Sequence, residues 1–390
     1  MKQFLIKTWP YILIGLAYFI LGEYLLYRLN ETKSINEVSK IQSSSTRELY
    51  YGRQVLGNSL PLYKYIRLQT EQPDVLVVGQ SVSLQFRDFV FEPFEDQFYN
   101  AGLMIRNIAD LNYLANLFEE GKIKKPRFML IAVDLSFVLE KTFLDEYSLE
   151  FDMPEDRALS IKSHLQGAQK LMLDGHLRAR PKLNLGFGKA GMTGRGYRND
   201  GSYRHLPEIE KYLQDSTYYD GDLVERLKER EAPFTVPFNY HPAKAKQLLE
   251  ILNRFREMNI ELLLYIPPYS DHFFASAMKD SMFVAFWQDY MRLQEKLKKE
   301  NYALIEFTTP SSMGLDDRYM VDSEHPGEVL NAIQLKKYAL SYGAESPFLS
   351  QLHFKTLDSL LQNEHSLPIS FLKDSINADF KLKEENTLAN

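Results

Sequence analysis

Short, unbroken apolar runs alternate along this chain with longer segments whose apolar residues recur at helical spacing. The first run, Val75 to Val78, lies between Pro73 and Gly79. A run of this length with such boundaries is typical of a strand buried on both faces of a parallel sheet. Comparable runs occur at 97–102, 126–134, 260–266 and 302–307, and helical spacing occurs at 105–120, 242–258, 282–301 and 326–342. This alternation predicts the α/β class, with a three-layer sandwich around a central parallel sheet.

The alternation stops between residues 138 and 240, a segment too long for a plain loop. We interpret it as an insertion that shapes a substrate site or a partner surface. The predicted α/β domain therefore covers 71–345 and includes this insertion. Residues 346–390 are predicted to contain a C-terminal helix at Phe348–Gln362, packed on the outside of the domain, and a polar tail at 377–390.

The amino-terminal segment is apolar enough to cross a membrane. Residues 9–29 reach about 20 residues, the usual length of a membrane span. No small-x-small cleavage site follows, which favours an uncleaved anchor over a signal peptide. Lys2 and Lys7, before the span, favour an inside amino terminus. Arg28, at the end of the span, and Lys33, after it, oppose this orientation. We predict a cytoplasmic stub at 1–8, an anchor in the bilayer at 9–29, and a polar stalk and packing segment at 30–70.

Composition excludes several classes of function. The net charge of -6 does not indicate nucleic-acid binding. The chain has no cysteine, which excludes disulfides, thiolate metal sites and a cysteine nucleophile. Its eight histidines show no H-x-x-H or H-x-x-x-H pairing, so we expect no metal and no other cofactor.

One glycine motif in the insertion imitates a nucleotide site. Residues 186–191 match G-x-G-x-x-G, but neither a clean strand before them nor a good helix after them is predicted. Ala190 also stands after Lys189, where a phosphate-binding loop requires Ser or Thr. We interpret the segment as a flexible loop whose cations, Arg195 among them, contact an anionic ligand or solvent.

The first predicted strand ends in the small polar turn Gly79-Gln80-Ser81. Ligands bind at the carboxyl ends of the strands in open α/β sheets. A serine exposed there is a nucleophile if a base reaches it, and otherwise it caps the next helix. The remainder of the chain has to supply that base.

Asp322 and His325 follow the last predicted strand and are three residues apart. On one turn of backbone their side chains share a face. The carboxylate can fix the tautomer of the imidazole, which leaves the other ring nitrogen free to take a serine proton. The pattern therefore predicts a Ser-His-Asp triad that includes Ser81.

The order of these blocks resembles the SGNH (GDSL-like) hydrolase superfamily. Gly79-Gln80-Ser81 stands where that family has Gly-Asp-Ser, Asn100-Ala101-Gly102 resembles its second block, and the Asp322–His325 segment resembles its last. The resemblance implies an SGNH-like, flavodoxin-like fold, a triad of Ser81, His325 and Asp322, and an oxyanion hole formed by the amides of Ser81 and Gly102. The turn after Ser81 lacks the second glycine of an α/β-hydrolase nucleophile elbow.

The third block departs from the family pattern, because Asp134 stands where the family has an Asn donor. An ionised carboxylate cannot donate a hydrogen bond and repels an oxyanion. Either the two amides suffice, or another donor such as Asn107 completes the hole. Asp134, Arg195 and Tyr269 are possible substrate contacts.

An anchored domain of this kind is similar to the bacterial envelope proteins that work beside membrane-bound O-acyltransferases in alginate O-acetylation and teichoic-acid D-alanylation. The resemblance implies a single-pass inner-membrane protein with its domain outside the cytoplasm. Ser81 would receive an acyl group, expected to be acetyl, from a membrane-bound O-acyltransferase and pass it to a cell-envelope glycan or polymer. Two alternatives stay open: an esterase or deacylase using the same triad, and a non-catalytic assembly or glycan-binding protein on a degenerate scaffold.

Overall fold

A computed structural model describes residues 2–52, 60–142, 161–173, 186–215, 222–231, 234, 237–362 and 367–371 of the 390-residue chain. The chain divides into two compact units. The first comprises Met1–Ile66 and Phe151–Asn199, and the second comprises Arg67–Glu150 and Asp200–Asn390. The predicted tail at 377–390 lies outside the described residues.

Helices and strands alternate through most of the described chain. The strands are β1 (Tyr50–Tyr51), β2 (Val75–Gly79), β3 (Phe98–Gly102), β4 (Phe128–Ala132), β5 (Gly186–Phe187), β6 (Gly196–Tyr197), β7 (Tyr203–Arg204), β8 (Glu261–Ile266) and β9 (Ala303–Glu306). The helices are α1 (Lys2–Arg28), α2 (Ile35–Ser44), α3 (Leu60–Glu71), α4 (Ile108–Glu119), α5 (Ile161–Leu173), α6 (Gly188–Met192), α7 (Leu206–Gln214), α8 (Leu223–Glu229), α9 (Pro242–Glu257), α10 (Asp271–Ala277), α11 (Ser281–Lys299), α12 (Glu328–Tyr342) and α13 (Lys355–Gln362).

The second unit is built on a five-stranded sheet with the order β3-β2-β4-β8-β9. All its adjacent strands pair in parallel, which confirms the predicted α/β class and central parallel sheet. Numbered along the chain, this is the order 2-1-3-4-5 of flavodoxin-like sheets. The order reverses between β2 and β4, and a crevice forms outside the carboxyl ends of the strands at such a point.

Both faces of this sheet are buried, as its continuous apolar strands predict. On one face Val75 and Val77 of β2 belong to a core cluster with Leu335 of α12. The intervening Leu76 and Val78 are equally buried. Helix crossovers cover both sides of a parallel sheet, and on the side of the sheet opposite α12, α9 packs on β8 and on α4.

The carboxyl-terminal segment is part of this unit's core rather than an outer layer. Phe348 stacks on Phe128 of β4 with ring centroids 4.1 Å apart. Leu357 of α13 is fully buried in the same cluster. The predicted helix at Phe348–Gln362 is shorter in the structure, since α13 begins at Lys355. A domain end at residue 345 would therefore cut through this core.

In the first unit, α1 includes one segment, Lys7–Arg28, that is long and apolar enough to span a membrane. The helix begins earlier than the predicted anchor. Near its carboxyl end Leu25 and Leu26 are buried in a cluster with Met192. Gly22 lies against α5, where an added Cβ would come within 2.4 Å of the Cβ of Ala168. Only glycine permits this close approach of the two helices.

The predicted stalk is largely folded within the first unit. α2 begins with a capping box of Ser34 and Glu37. β1 pairs in parallel with β5 and antiparallel with β6. Tyr51 stacks on Tyr63 with ring centroids 4.4 Å apart. Tertiary contacts of its tyrosines thus order a segment that local polarity favours as a linker.

The G-x-G-x-x-G segment forms β5 and α6 instead of the predicted flexible loop. An added Cβ at Gly186 or Gly191 would lie 2.0 or 2.3 Å from the carbonyl oxygen of Tyr50. The glycines therefore permit close packing on β1. Arg198, which follows this segment, is fully buried.

Candidate active site

Ser81 lies at the carboxyl end of β2, beside the point where the strand order reverses. Gly79 has a φ of +147°, and an added Cβ there would come within 2.6 Å of the Cβ of Ala132. The chain then enters a 3-10 turn, Ser81–Ser83. Ser81 is the first residue of this turn, where backbone N–H groups lack partners within the helix. The hydroxyl and the amide of Ser81 thus both lie at the carboxyl end of the strand.

The side chain of Gln80 fixes this turn to its surroundings. Its Nε2 donates a hydrogen bond of 2.7 Å to the carbonyl oxygen of Arg106 and another to the hydroxyl of Ser136. The hydroxyl of Ser83 donates to the carbonyl oxygen of Gln80 over 2.8 Å. Gln80 therefore holds the nucleophile turn against the loops after β3 and β4.

Asp322 and His325 lie in a tight loop that precedes α12. An antiparallel bridge joins Met320 to Pro326, and the amide of Val321 donates to the carbonyl oxygen of His325 over 2.7 Å. Asp322 Oδ1 accepts the amide of His325 at 2.9 Å and also that of Glu324. An aspartate that caps its own turn in this way fixes its own orientation and that of the backbone.

The structure brings Ser81, His325 and Asp322 together from distant parts of the chain. His325 Nε2 lies 2.7 Å from Ser81 Oγ. His325 Nδ1 lies 2.7 Å from Asp322 Oδ2 and 2.9 Å from Oδ1. In the neutral tautomer, Nδ1–H donates to Asp322 and the hydroxyl of Ser81 donates to Nε2. This is the geometry in which histidine takes a proton from serine.

Electrostatics couple the two halves of the His–Asp pair. Burial lowers the pKa of His325, but the charge and hydrogen bond of Asp322, with the charges of Glu324 and Asp134, raise that pKa to about 9. Burial alone would raise the pKa of Asp322, yet the charge and hydrogen bond of His325 hold it below its ordinary value. The pair therefore favours a protonated imidazole beside an ionised carboxylate in the resting state.

The two other predicted oxyanion donors are already engaged in local hydrogen bonds. The amide of Gly102 donates to Asn100 Oδ1 over 2.8 Å. Asn107 begins α4, and its Oδ1 accepts the amide of Asp110 at 3.0 Å. Gly102 would have to share or release its acceptor to bind an oxyanion. The role of Asn107 as an oxyanion donor stays a prediction.

Asp134 and Tyr269 line the same cavity as Ser81. Asp134 follows β4, and its Oδ1 accepts the amide of Ser136 at 2.8 Å. Burial raises the pKa of Asp134 against the lowering effect of this hydrogen bond. Burial also raises the pKa of Tyr269 well above its ordinary value, and Asp134 adds to the effect. The structure places both residues in the cavity that Ser81 lines, and their contact with a substrate stays a prediction.

Arg195 belongs to the first unit, whereas the triad lies in the second. Its predicted role stays a prediction.

Two residues near the triad were not predicted. Glu324 lines the cavity, and burial raises the pKa of its carboxyl. The ring of His205 lies 6.2 Å from that of His325. The position of Glu324 inside the Asp-x-x-His block could have indicated it, whereas no local pattern points to His205.

Among the residues that the structure describes, no group of three or more His, Asp or Glu side chains is placed to hold a metal ion. No protein-family model matches the chain. No curated protein is similar to it in sequence.

Proposed function

We propose that this protein is a serine-dependent O-acyltransferase that works through an acyl-Ser81 intermediate. The observation that carries the proposal is the continuous contact from Ser81 Oγ to His325 Nε2, and from His325 Nδ1 to Asp322, each 2.7 Å long. A serine placed beside a base that a third group orients is the arrangement that nucleophilic catalysis requires.

In the first half-reaction, Ser81 Oγ attacks the carbonyl carbon of the acyl donor, and the serine proton moves to His325 Nε2. The carbonyl oxygen becomes an oxyanion, which the amide of Ser81 and a second donor stabilise. Collapse of the tetrahedral intermediate breaks the bond to the leaving group, which takes the proton from His325. Asp322 keeps its negative charge throughout and stabilises the imidazolium.

In the second half-reaction, an acceptor hydroxyl gives its proton to His325 and attacks the acyl carbon. The acyl group leaves Ser81, and the serine regains its proton from His325. A glycan or polyol hydroxyl gives acyl transfer, whereas water gives the hydrolysis of an esterase. The same residues carry out both reactions, so the difference depends on exclusion of water from the acyl-enzyme.

The membrane part of the proposal rests on α1 and on the resemblance of the sequence blocks to anchored SGNH proteins. A single span at Lys7–Arg28 would anchor the chain in the inner membrane of a bacterium. The α/β unit would then act outside the cytoplasm on a cell-envelope polymer. A membrane-bound O-acyltransferase would supply the acyl group from across the bilayer.

The first test asks whether Ser81 is an activated nucleophile. The full chain, purified in amphipol, is incubated with a small fluorophosphonate, whose phosphorus Ser81 Oγ attacks with loss of fluoride. Intact mass and peptide mapping locate the adduct. We expect labelling at Ser81 and none in Ser81→Ala.

Ser83→Ala is a matched control, because Ser83 lies in the same 3-10 turn. It should keep the label. Absence of any adduct, or an adduct that persists in Ser81→Ala, would contradict the proposal and favour a non-catalytic scaffold. If wild type takes the label, a separate sample without fluorophosphonate is acylated. Discharge of its acyl-Ser81 faster by glycan than by water identifies a transferase, and the reverse identifies an esterase.

A further inference from the structure

The cavity beside Ser81 has a volume of about 450 Å³, within the range of sites that bind small molecules. Its lining includes Gln80 and Ser81 after β2 and Asp134 after β4. These positions place it outside the carboxyl ends of the strands, at the point where the strand order reverses. Whatever occupies it lies directly beside the reacting oxygen.

Most of the cavity wall is apolar. Four phenylalanines, Phe234, Phe238, Phe273 and Phe283, contribute to it. Their rings contact one another, with centroids 5.7 Å apart for Phe234–Phe238, 5.1 Å for Phe238–Phe283 and 5.8 Å for Phe234–Phe273. Aromatic rings packed in this way form a fixed apolar surface.

The wall brings together parts of the chain that are far apart in sequence. Phe234 and Phe238 come from the predicted insertion, as do Leu139 and Leu223. Phe273 lies on α10. The described part of the insertion therefore shapes this cavity, which gives the insertion a specific role in the second unit.

The lining also includes polar side chains, and some of these are engaged with one another: Gln80 Nε2 donates to the hydroxyl of Ser136. Two of the cations are paired with acids, Arg106 with Asp110 at 3.5 Å and Arg226 with Asp222 at 2.7 Å. Sugars need several convergent polar groups, whereas the four rings offer none. An acetyl group has a single methyl to bury and would leave nearly all of this volume unused.

We propose that the cavity binds the hydrocarbon chain of the acyl donor, so that Ser81 accepts acyl groups of several carbons in preference to acetyl. This inference rests on the proposed acyl-Ser81 intermediate and replaces the expectation of acetyl transfer. The ester carbonyl lies at Ser81 while the chain extends along the phenylalanine wall. Burial of each methylene stabilises the transition state for acylation.

The full chain in amphipol is mixed with the acetate, butyrate, hexanoate and octanoate esters of p-nitrophenol. The burst of p-nitrophenol gives the rate constant of acylation, and mass spectrometry confirms each acyl-Ser81. We expect about a fourfold increase for each methylene that the cavity buries. Rate constants that are equal across the series, or that fall with chain length, would overturn the inference.

Leu139→Trp narrows the cavity and should lower the octanoyl-to-acetyl ratio by about tenfold or more. The same substitution at Leu340, which is 71% exposed on α12, should leave the ratio at the wild-type value. A ratio that Leu139→Trp does not change would also overturn the inference.

A second measurement separates this inference from the proposed function. Octanoate should bind the Ser81→Ala variant more tightly than acetate by isothermal titration, since no chemistry is needed. Binding without any fluorophosphonate adduct on the wild-type chain would refute the acyl-enzyme and retain the chain-binding cavity. Fluorophosphonate labelling without preference for the longer chain would refute the cavity assignment alone.

Discussion

The active site has two sides whose residues are held in different ways. On the base side, His325 contacts Asp322 through Nδ1 and Ser81 through Nε2, each at 2.7 Å. On the oxyanion side, the amide of Gly102 donates to a neighbouring side chain, and an acid, Asp134, lies at the end of β4. On the base side, His325 is placed to accept the serine proton once its imidazole is neutral. The proposed oxyanion side depends on the protonation of Asp134 or on a small rearrangement.

In the proposed reaction, proton transfer and oxyanion stabilisation depend on different kinds of structure. The base side occupies one short loop, so its geometry follows from local hydrogen bonds. The oxyanion side draws on the ends of three strands, β2, β3 and β4, whose relative positions the whole sheet fixes. A substitution on one side should therefore leave the backbone of the other nearly intact, although the charge of Asp134 also raises the pKa of His325.

The largest expected effect comes from removal of the base. His325→Ala should lower the acylation rate constant by about 10⁴ to 10⁶, because Ser81 then has no proton acceptor. Burst kinetics with p-nitrophenyl octanoate measure this loss. His353→Ala, at an exposed histidine paired with Glu92, is the control and should stay near the wild-type rate. A comparable loss in both variants would point to a general fault in folding.

Asp322→Asn should lower kcat by about 10⁴, since the amide no longer fixes the tautomer of His325. Its pH profile is a sharper readout. His325 is the base only when neutral, so wild-type kcat/KM should rise with pH through the pKa of about 9. Loss of the Asp322 charge lowers that pKa, and the rise should move to lower pH. An unmoved profile would mean that another group controls the titration.

Asp134→Asn tests the oxyanion side. The protonated carboxyl donates a hydrogen bond and the carboxylate repels an oxyanion, and burial raises the pKa of Asp134. The amide donates at every pH. We expect the ratio of the variant's acylation rate constant to that of wild type to increase as pH rises, by about tenfold or more across the profile, because the wild-type carboxyl ionises and the amide does not. A variant slower than wild type at all pH values would show that Asp134 acts as a carboxylate.

The His–Asp pair should also make stability depend on pH. The folded pKa of His325, about 9, lies above its ordinary value of 6.5. The protonated histidine therefore stabilises the fold fully below pH 6.5, and this contribution is lost as pH rises through about 9. Wild-type Tm should fall by a few degrees more than the Tm of His325→Ala between pH 6.5 and pH 10. Parallel curves from differential scanning fluorimetry would contradict this coupling.

The smallest expected effect concerns Asn107. Asn107→Asp keeps the oxygen that caps α4 and removes the side-chain N–H donors. If helix capping is the main role of this residue, acylation should change by less than about threefold, and Tm should hold. A loss of about a hundredfold at unchanged Tm would instead assign an oxyanion donor to Asn107. Asn107→Ala, which loses the cap, should cost about 1 kcal/mol of stability.

The sheet could be predicted because its information is local. Val75 to Val78 form a run too short for a helix and too apolar for an exposed strand, and the structure places them in β2, between β3 and β4 in the sheet. Asp322 and His325 could be paired because three residues separate them. The wall of the cavity could not be predicted, since Phe234 and Phe283 carry no local pattern that joins them. The fold of the segment at 30–70 could not be predicted either, because it depends on contacts such as Tyr51 with Tyr63.

The sequence by itself determined the α/β class, the apolar amino-terminal helix, and the identity of Ser81, Asp322 and His325 as one candidate site. These features could be predicted because periodicity and spacing depend on only a few neighbouring residues. Only the tertiary structure decided that Ser81 and His325 meet, that Asp134 lies beside them with a raised pKa, and that the insertion forms an apolar cavity. Distances between remote segments and the exclusion of water depend on the packing of the complete sheet and its loops.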